Sequence, residues 1–290
     1  MTLTLSKEEQ EKFCNQVNAI QNALLEFLKF AKTNLQSYNG LTIESYDQHF
    51  LQIFARFRLN TEGLICLLDN FKEDYRLKIS LNLLLRSICS DILTALYLLT
   101  FYDKSDTEKV ALNNELNVIS AEFLKSIIPT IEEEHEILEY FGVDQNISLD
   151  KKKEFFNLKA KNLFDDFGKI KTKKKIRQTT SQLLKEGLND NGFFLTESEK
   201  YKRIKEKIGK DFGYIFIAFK YYSQFQHFNL YVGNLTNNKP FMDLFFMFNT
   251  IDNMLLTTEQ IMTIVISPNL NFHHDLADIQ KKLIDEFRLT

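Results

Sequence analysis

Residues 6–35 read SKEEQEKFCNQVNAIQNALLEFLKFAKTNL, and the spacing of their apolar side chains decides the fold class. The apolar positions recur at intervals of four and three, which places them along one stripe of an α-helix. They are Phe13, Val17, Ile20, Leu24, Phe27, Ala31 and Leu35. Ser6 and Glu9 have capping-box spacing, in which each side chain accepts from the other residue's backbone N–H. The stretch predicts a long amphipathic helix over 6–38.

The same pattern repeats along the chain and predicts an all-α protein. Three further pairs have capping-box spacing: Ser45 with Gln48, Ser105 with Glu108, and Thr196 with Glu199. Nine Gly and three Pro in 290 residues leave few of the turns that β-hairpins require. The predicted helices span 6–38, 45–70, 73–103, 106–128, 130–141, 149–168, 179–187, 196–233 with a break near 209–213, 240–266 and 275–288. We therefore expect a helical bundle of about nine or ten helices, in a single domain over 1–290.

The three prolines mark helix limits. Pro129 lacks a backbone N–H and crowds the preceding turn, so it is expected to end or kink its helix. Pro240 suits the first turn of a helix, where the missing N–H costs nothing.

Residues 151–210 concentrate positive charge. They hold 18 Lys and Arg against 8 Asp and Glu, a net +10, so the remainder carries −13. Between 151 and 177, eleven cations alternate with four phenylalanines, the combination with which single-strand binders hold phosphates and stack on bases. The pattern predicts an inserted basic lobe that binds RNA or another anionic partner. Two alternatives stay open: an intramolecular charge match and an amphipathic helix with a solvated face.

Cysteine use and composition favour a cytoplasmic protein. Cys14, Cys66 and Cys89 are odd in number and widely spaced, unlike a disulfide framework. The N-terminus lacks the cationic start and apolar core of a signal peptide. The two most apolar stretches, 81–102 and 241–266, contain charged residues, so we expect buried helices and no membrane span.

No metal site or cofactor is expected. The sequence HHD at 273–275 has too little chain after it for a further downstream ligand, and Glu132 with His135 has the spacing of one helical ligand pair without a second copy. A glycine-rich phosphate loop is also absent from the sequence.

Two strongly apolar helices carry polar residues along one side. Between 212 and 231, nine of twenty residues are aromatic, yet Lys220, Ser223 and His227 are three or four apart and align on one seam. In LNLLLRSICSDILTALYLL, 81–99, Asn82, Arg86 and Ser90 step by four, with Asp91 alongside. Burying Arg and Asp is costly unless each finds a partner.

We therefore expect Ser223 and His227 to face Arg86 and Asp91 across a partly buried polar cleft. One alternative is a purely structural network, in which the four groups satisfy one another's hydrogen bonds.

The segments LLLRSICSDILTALYLL and FKYYSQFQHF resemble the all-helical HEPN superfamily, in particular its branch with an R-x4-acidic helix and a later S-x3-H helix. Arg86 and Asp91 match the first motif, and Ser223 and His227 match the second. The resemblance implies a metal-independent ribonuclease of a toxin or antiviral system, or an inactive RNA-binding module, commonly a homodimer. If the protein is such a ribonuclease, the resemblance implies that His227 acts as general acid or base and that Arg86 stabilises a phosphate. Asp91 would then orient His227 or Arg86.

The strict ribonuclease motif of that superfamily, Arg followed by His after four to six residues, is absent from this sequence. Lys220 precedes His227 by six intervening residues, but a lysine lacks the planar fork of arginine. Three functions therefore stay open: RNA binding or cleavage, a non-enzymatic protein-interaction module, and an enzyme of another class. The lysines expected to contact nucleic acid are Lys151, Lys152, Lys153, Lys173, Lys174, Lys175 and Lys220.

Overall fold

The computed structural model describes residues 5–36, 45–102, 106–143, 147–177, 195–225, 240–266 and 271–289. Helix accounts for 86% of these residues, in ten α-helices without any strand, so the prediction of an all-α fold is confirmed. The helices are α1 (Lys7–Gln36), α2 (Ser45–Phe71), α3 (Lys78–Leu99), α4 (Asp106–Tyr140), α5 (Leu149–Lys159), α6 (Lys173–Arg177), α7 (Glu197–Lys207), α8 (Gly213–Ser223), α9 (Pro240–Ile266) and α10 (Asn271–Leu289). Two short 3-10 helices cover Tyr75–Leu77 and Lys161–Leu163.

The chain divides into two compact units. Unit 1 combines Met1–Tyr97 with Ile204–Thr290, and unit 2 is Leu98–Arg203, which lies between those two segments in the sequence. The predicted basic lobe at 151–210 overlaps the second half of unit 2. The structural boundary at Leu98 lies well before the change in charge at 151, because the acidic helix α4 belongs to the same unit.

Unit 1 is a helical bundle held by aromatic packing. Helix α1 packs against α2, α9 and α10, and α8 packs on α9. The predicted stripe of α1 is buried, and Phe27 contacts Phe54 of α2 with ring centroids 6.2 Å apart. Helix α3 joins the bundle through polar side chains that reach α2, α8 and α9.

Unit 2 is built around α4, which contacts α5, α6 and the 3-10 helix at Lys161–Leu163. Arg177 of α6 donates from Nε and Nη2 to the two carboxylate oxygens of Glu115, both at 2.7 Å. Both side chains are buried, 3% and 4% exposed, so this bidentate pair fixes α6 on α4.

Pro129 does not end its helix. The structure replaces the two predicted helices 106–128 and 130–141 by one helix, Asp106–Tyr140, with Pro129 inside it. Proline removes one helical hydrogen bond and costs about 3 kcal/mol in a helix interior. The helix nevertheless continues to Tyr140, and beyond the proline Lys152 and Lys153 of α5 pair with Glu134 and Glu132 of α4.

The predicted helix 149–168 is too long. Helix α5 ends at Lys159, and the chain then reverses, with an isolated antiparallel bridge between Phe164 and Ile170. Asp165 causes the reversal, because its carboxylate accepts from the backbone N–H groups of Phe167 and Lys169 at 3.1 and 2.9 Å. Gly168 takes the left-handed conformation, φ 71°, which glycine adopts without steric cost.

Of the remaining predicted helix limits, one is confirmed and others differ from the structure. The break expected near 209–213 is confirmed, since α7 ends at Lys207 and α8 begins at Gly213. Helix α10 begins at Asn271, four residues before the predicted start at 275. Helix α6 lies where no helix was predicted, and the predicted helix 179–187 is outside the described residues.

Candidate functional site

A polar cluster lies where α3, α8 and α9 meet inside unit 1. Lys78, Asn82 and Arg86 of α3 step by four and therefore share one face of the helix. Lys78 contacts α9, and Arg86 contacts α8. The face of α3 that carries these residues is therefore turned toward the other two helices.

Arg86 meets Ser223 as the sequence predicts. Arg86 Nε donates to Ser223 Oγ at 3.2 Å, and Ser223 Oγ donates to the carbonyl of Phe219 at 2.7 Å. The guanidinium also lies over the Phe219 ring, 5.1 Å from its centroid, a cation–π arrangement. Both Arg86 and Ser223 are half-buried. Their contact holds the guanidinium in one orientation at the edge of the cluster.

Asp91 lies on another face of α3. Arg56 Nε of α2 donates to Asp91 Oδ2 at 3.0 Å, and Asn60 of α2 donates to Ser87 at 3.5 Å. Residues five apart on a helix are separated by about 140° around its axis. The structure therefore pairs Asp91 with Arg56 on the α2 side, whereas Arg86 and Ser223 meet on the α8 side.

His227 falls on the chain segment 226–239, which is outside the described residues. Its expected role as general acid or base stays a prediction.

The centre of the cluster is a buried ion pair that the sequence analysis missed. Lys78 Nζ donates to Asp243 Oδ2 at 2.7 Å, and the two side chains are 4% and 3% exposed. The phenols of Tyr75 and Tyr221 donate to the same carboxylate, one to each oxygen. Lys78 Nζ also lies 5.2 Å from the centroid of the Tyr75 ring and 5.5 Å from that of Phe225. The ammonium and the two phenols thus all donate to one carboxylate.

The tyrosines of this network stay protonated. Burial raises the pKa of Tyr75, and the neighbouring Asp243 carboxylate raises it further. Burial and the hydrogen bond to Asp243 likewise raise the pKa of Tyr221. Neither phenol ionises near neutral pH, so each acts as a fixed donor to Asp243.

A third group of polar side chains lies deeper between α3 and α9. Cys89 and the Tyr222 hydroxyl both contact Thr250 Oγ1, at 3.6 and 3.4 Å, and Thr250 donates to the carbonyl of Phe246 at 2.8 Å. Burial raises the pKa of Cys89 to about 12. Because the thiolate is the nucleophile, Cys89 is a packing residue and not a reactive one.

Asn82 contains a donor without an acceptor. Its side chain is 2% exposed, and within the described ranges its Nδ2 finds no hydrogen-bond partner. Leaving a buried donor unsatisfied costs about 1–3 kcal/mol. Asn82 lies one turn before Arg86 on the same face of α3, so the cluster contains an unused N–H group beside its guanidinium.

The lysines that the sequence predicts to contact nucleic acid differ in their surroundings: some form ion pairs, and others are exposed. Lys173 is 2% exposed and donates to Glu199 at 3.0 Å, so it lies in the interior and does not present its ammonium to a ligand. Lys152 and Lys153 pair with acids of α4, and Lys175 pairs with Asp165 at 3.1 Å. Lys151, Lys174 and Lys220 are exposed.

The positive charge of this segment is matched inside its own unit. Residues 98–203 hold 18 Lys and Arg and 19 Asp and Glu, a net charge of −1. The acids of α4 supply much of the negative charge, and Glu115, Glu132 and Glu134 are each paired with a cation from the basic segment. The intramolecular charge match that the sequence left open is therefore observed at these pairs.

Two other features of the described residues lie apart from the polar cluster. A groove of about 470 Å³ between α1 and α10 is lined partly by Glu26 and Lys282, which pair with each other at 3.0 Å. Among the residues that the structure covers, no group of His, Cys, Asp and Glu is placed to hold a metal ion.

The segment Tyr75–Leu99, which includes α3, is long and apolar enough to cross a membrane by length and composition. Core helices of soluble proteins have the same properties, and 56% of its most apolar window is buried within the protein. Within this segment, Lys78 and Arg86 make polar contacts with neighbouring helices.

The cluster thus combines a buried ion-pair network with a half-buried arginine at its edge, whose terminal nitrogens have no partner among the described residues. Chemically, such an edge suits an anion. Comparison with known proteins adds no further line of evidence: the chain matches no family model, no curated protein and no solved structure.

Proposed function

We propose that the protein binds RNA and that Arg86 holds one of its backbone phosphates at the edge of the α3–α8 cluster. One observation carries the proposal. Arg86 is oriented by Ser223 and Phe219, yet it has no carboxylate partner among the residues described in the structure. Elsewhere, Arg56, Arg76 and Arg177 each pair with an acid.

The orientation of Arg86 leaves its terminal edge for a ligand. The hydrogen bond to Ser223 uses Nε, so the two terminal nitrogens remain as donors. A guanidinium binds phosphate through two such N–H groups in parallel, which a lysine cannot do.

A second cation lies near Arg86 on α8. Lys220 is one turn before Ser223, is exposed, and lies 5.3 Å from the centroid of the Phe216 ring. It makes no ion pair with an acid in the described part of the chain. Two cations on adjacent helical surfaces favour a ligand with successive phosphates, and RNA is the ligand that the sequence resemblance implies.

We propose binding rather than cleavage for the groups that the structure describes. The tyrosines near Asp243 have raised pKa values and remain protonated, and Asp243 itself is held by Lys78. Cleavage of RNA needs a group that accepts a proton from the attacking hydroxyl. His227 remains the predicted group for that role.

A protein-interaction module is the second candidate, and a separate observation favours it. The network of Lys78, Asp243, Tyr75 and Tyr221 is buried and its members bond to one another. A network of this kind stabilises the core without a ligand. Absence of RNA binding by the wild-type protein at low salt would favour this candidate.

Substitution of Arg86 tests RNA binding directly. Arg86→Gln is expected to weaken binding of a fluorescein-labelled single-stranded RNA about tenfold to a hundredfold, because hydrogen bonds to charged groups contribute about 1.5–3 kcal/mol each. Fluorescence anisotropy titrations between 50 and 200 mM salt measure it. The slope of log affinity against log salt should also fall by about 0.7 for each lost phosphate contact.

Arg76→Gln is the matched control, because Arg76 is a 75% exposed arginine of unit 1 that pairs with Asp74. Its affinity should equal that of the wild type. If RNA affinity falls equally in both variants, the loss comes from the change in net charge, and Arg86 is not the residue that holds the phosphate.

Substitution of Asn82 measures the cost of its buried, unsatisfied donor. Asn82→Leu removes a buried donor that has no described partner, so we expect the free energy of unfolding to rise by about 1 kcal/mol. RNA affinity should stay that of the wild type, because the buried Nδ2 of Asn82 does not reach a ligand. Urea unfolding measures the stability, and a variant no more stable than the wild type would show that the buried donor costs nothing in the native protein.

A further inference from the structure

The hairpin of α4 and α5 exposes large apolar side chains over a short stretch of chain. Seven lie between 137 and 158: Ile137, Tyr140, Phe141, Val143, Ile147, Phe155 and Leu158. Tyr140 is 84% exposed and Leu158 is 73% exposed. Soluble monomers scatter such residues singly, whereas a contiguous group marks an interaction site.

Helix α5 gains little burial from its own unit. It has no buried residue, and an isolated helix of its length is marginal in water. Lys152 and Lys153 pair with Glu134 and Glu132, and Asn162 donates to Asn117 at 3.1 Å, so α5 and the turn after it run antiparallel to α4. These contacts are polar. They leave Phe155 and Leu158 uncovered.

The exposed residues of α4 continue the same surface. In a regular helix, Phe123, Ile137 and Phe141 fall within about 40° of one another around the axis. All three are more than half exposed. Each arm of the hairpin therefore carries apolar side chains that a partner has to cover.

The charges around this surface identify the partner. The end of α4 presents the exposed acids Glu133, Glu136 and Glu139. The arm from 149 to 161 presents three exposed lysines, Lys151, Lys159 and Lys161, against two exposed acids, Asp150 and Glu154, so it is basic by one charge. A surface that is acidic on one arm and basic on the other complements itself under a two-fold rotation. An anionic membrane or a nucleic acid would meet the acidic arm with repulsion.

We infer that two copies of this protein associate through the α4–α5 hairpin, with α4 of each copy against α5 of the other. The apolar side chains fill the centre of the contact, and the two charged arms form its rim. This interface is isologous, since the same surface serves both copies. It lies entirely within unit 2 and is independent of the RNA site proposed on unit 1.

Sedimentation velocity of the full chain measures the association. The wild type should have twice the 34.2 kDa mass of one chain. Phe155→Glu combined with Leu158→Glu should give a single-chain mass with unchanged helical circular dichroism, because neither side chain is buried. Leu59→Glu, at a 54% exposed position of α2, is the control and should remain a dimer.

Charge exchange tests the pairing of the arms. A variant with Lys151, Lys159 and Lys161 changed to Glu, and one with Glu133, Glu136 and Glu139 changed to Lys, should each be monomeric alone. An equimolar mixture should form a heterodimer, since opposite charges again face each other. A mixture that stays monomeric overturns the proposed pairing.

A monomeric wild type at its highest soluble concentration overturns the proposal as a whole. So does a wild type that stays monomeric while it co-sediments with vesicles of phosphatidylserine and phosphatidylcholine, because the apolar hairpin would then be a membrane-binding surface.

Discussion

Asp243→Leu, with Lys78 retained, is expected to lower the free energy of unfolding of unit 1 by about 3–5 kcal/mol, because it strands a buried ammonium. The two phenols that donate to Asp243 lose their acceptor in the same step. The double variant Lys78→Met with Asp243→Leu should recover the part that is due to the stranded ammonium, since apolar residues of similar volume replace buried ion pairs with little cost, while the two phenols stay without their acceptor.

Urea unfolding and hydrogen exchange of unit 1 peptides measure the effect. Lys282→Met serves as the control, because Lys282 and Glu26 form an exposed pair of the same unit, with side chains 59% and 39% exposed. Exposed pairs contribute about 0–1 kcal/mol. If Asp243→Leu costs no more than Lys282→Met, the ion pair does not hold α3 to α9.

Glu115→Leu is expected to have a similar effect on unit 2, a loss of about 3–5 kcal/mol, because Arg177 then remains buried without its carboxylate. Both bonds of the bidentate pair are lost at once. Faster hydrogen exchange should appear in α4 and α6, and limited proteolysis should cleave within 98–203.

Lys153→Met is the matched control in unit 2, since Lys153 pairs with Glu132 and both side chains are more than a third exposed. Its exchange pattern should stay close to that of the wild type. Recovery of protection in Glu115→Leu with Arg177→Met would assign the loss to the stranded guanidinium. Protection that is unchanged in Glu115→Leu alone would show that α6 is held to α4 by other contacts.

The helices could be predicted from the sequence wherever the deciding interactions are local. Ser6 and Glu9 form the predicted capping box, with hydrogen bonds of 2.9 and 3.2 Å, and Thr196 with Glu199 forms another. Each uses residues three apart, so the sequence contains the whole interaction. Pro129 shows the limit of local reasoning, because the local rule ends or kinks a helix at proline, whereas α4 continues through Pro129 to Tyr140.

The candidate site could be predicted only in part. The polar seams of two apolar helices indicated that Arg86 and Ser223 face each other, and they do. Asp91 appeared to belong with them because it is close to Arg86 in sequence, but five residues on a helix lead to another face. Lys78 and Asp243 are 165 residues apart, so their pairing depends on the tertiary arrangement. The available signal was a charged residue near the start of each of two apolar helices.

The insertion of unit 2 into unit 1 sets an order of assembly during synthesis. Unit 2 is continuous, Leu98–Arg203, and has all its residues once the ribosome has passed Arg203. Unit 1 must wait for Ile204–Thr290, because α1 packs against α9 and α10. Its first three helices therefore emerge with apolar faces uncovered while the inserted unit is already able to fold. The earliest helices to leave the ribosome are in this way among the last to complete their packing.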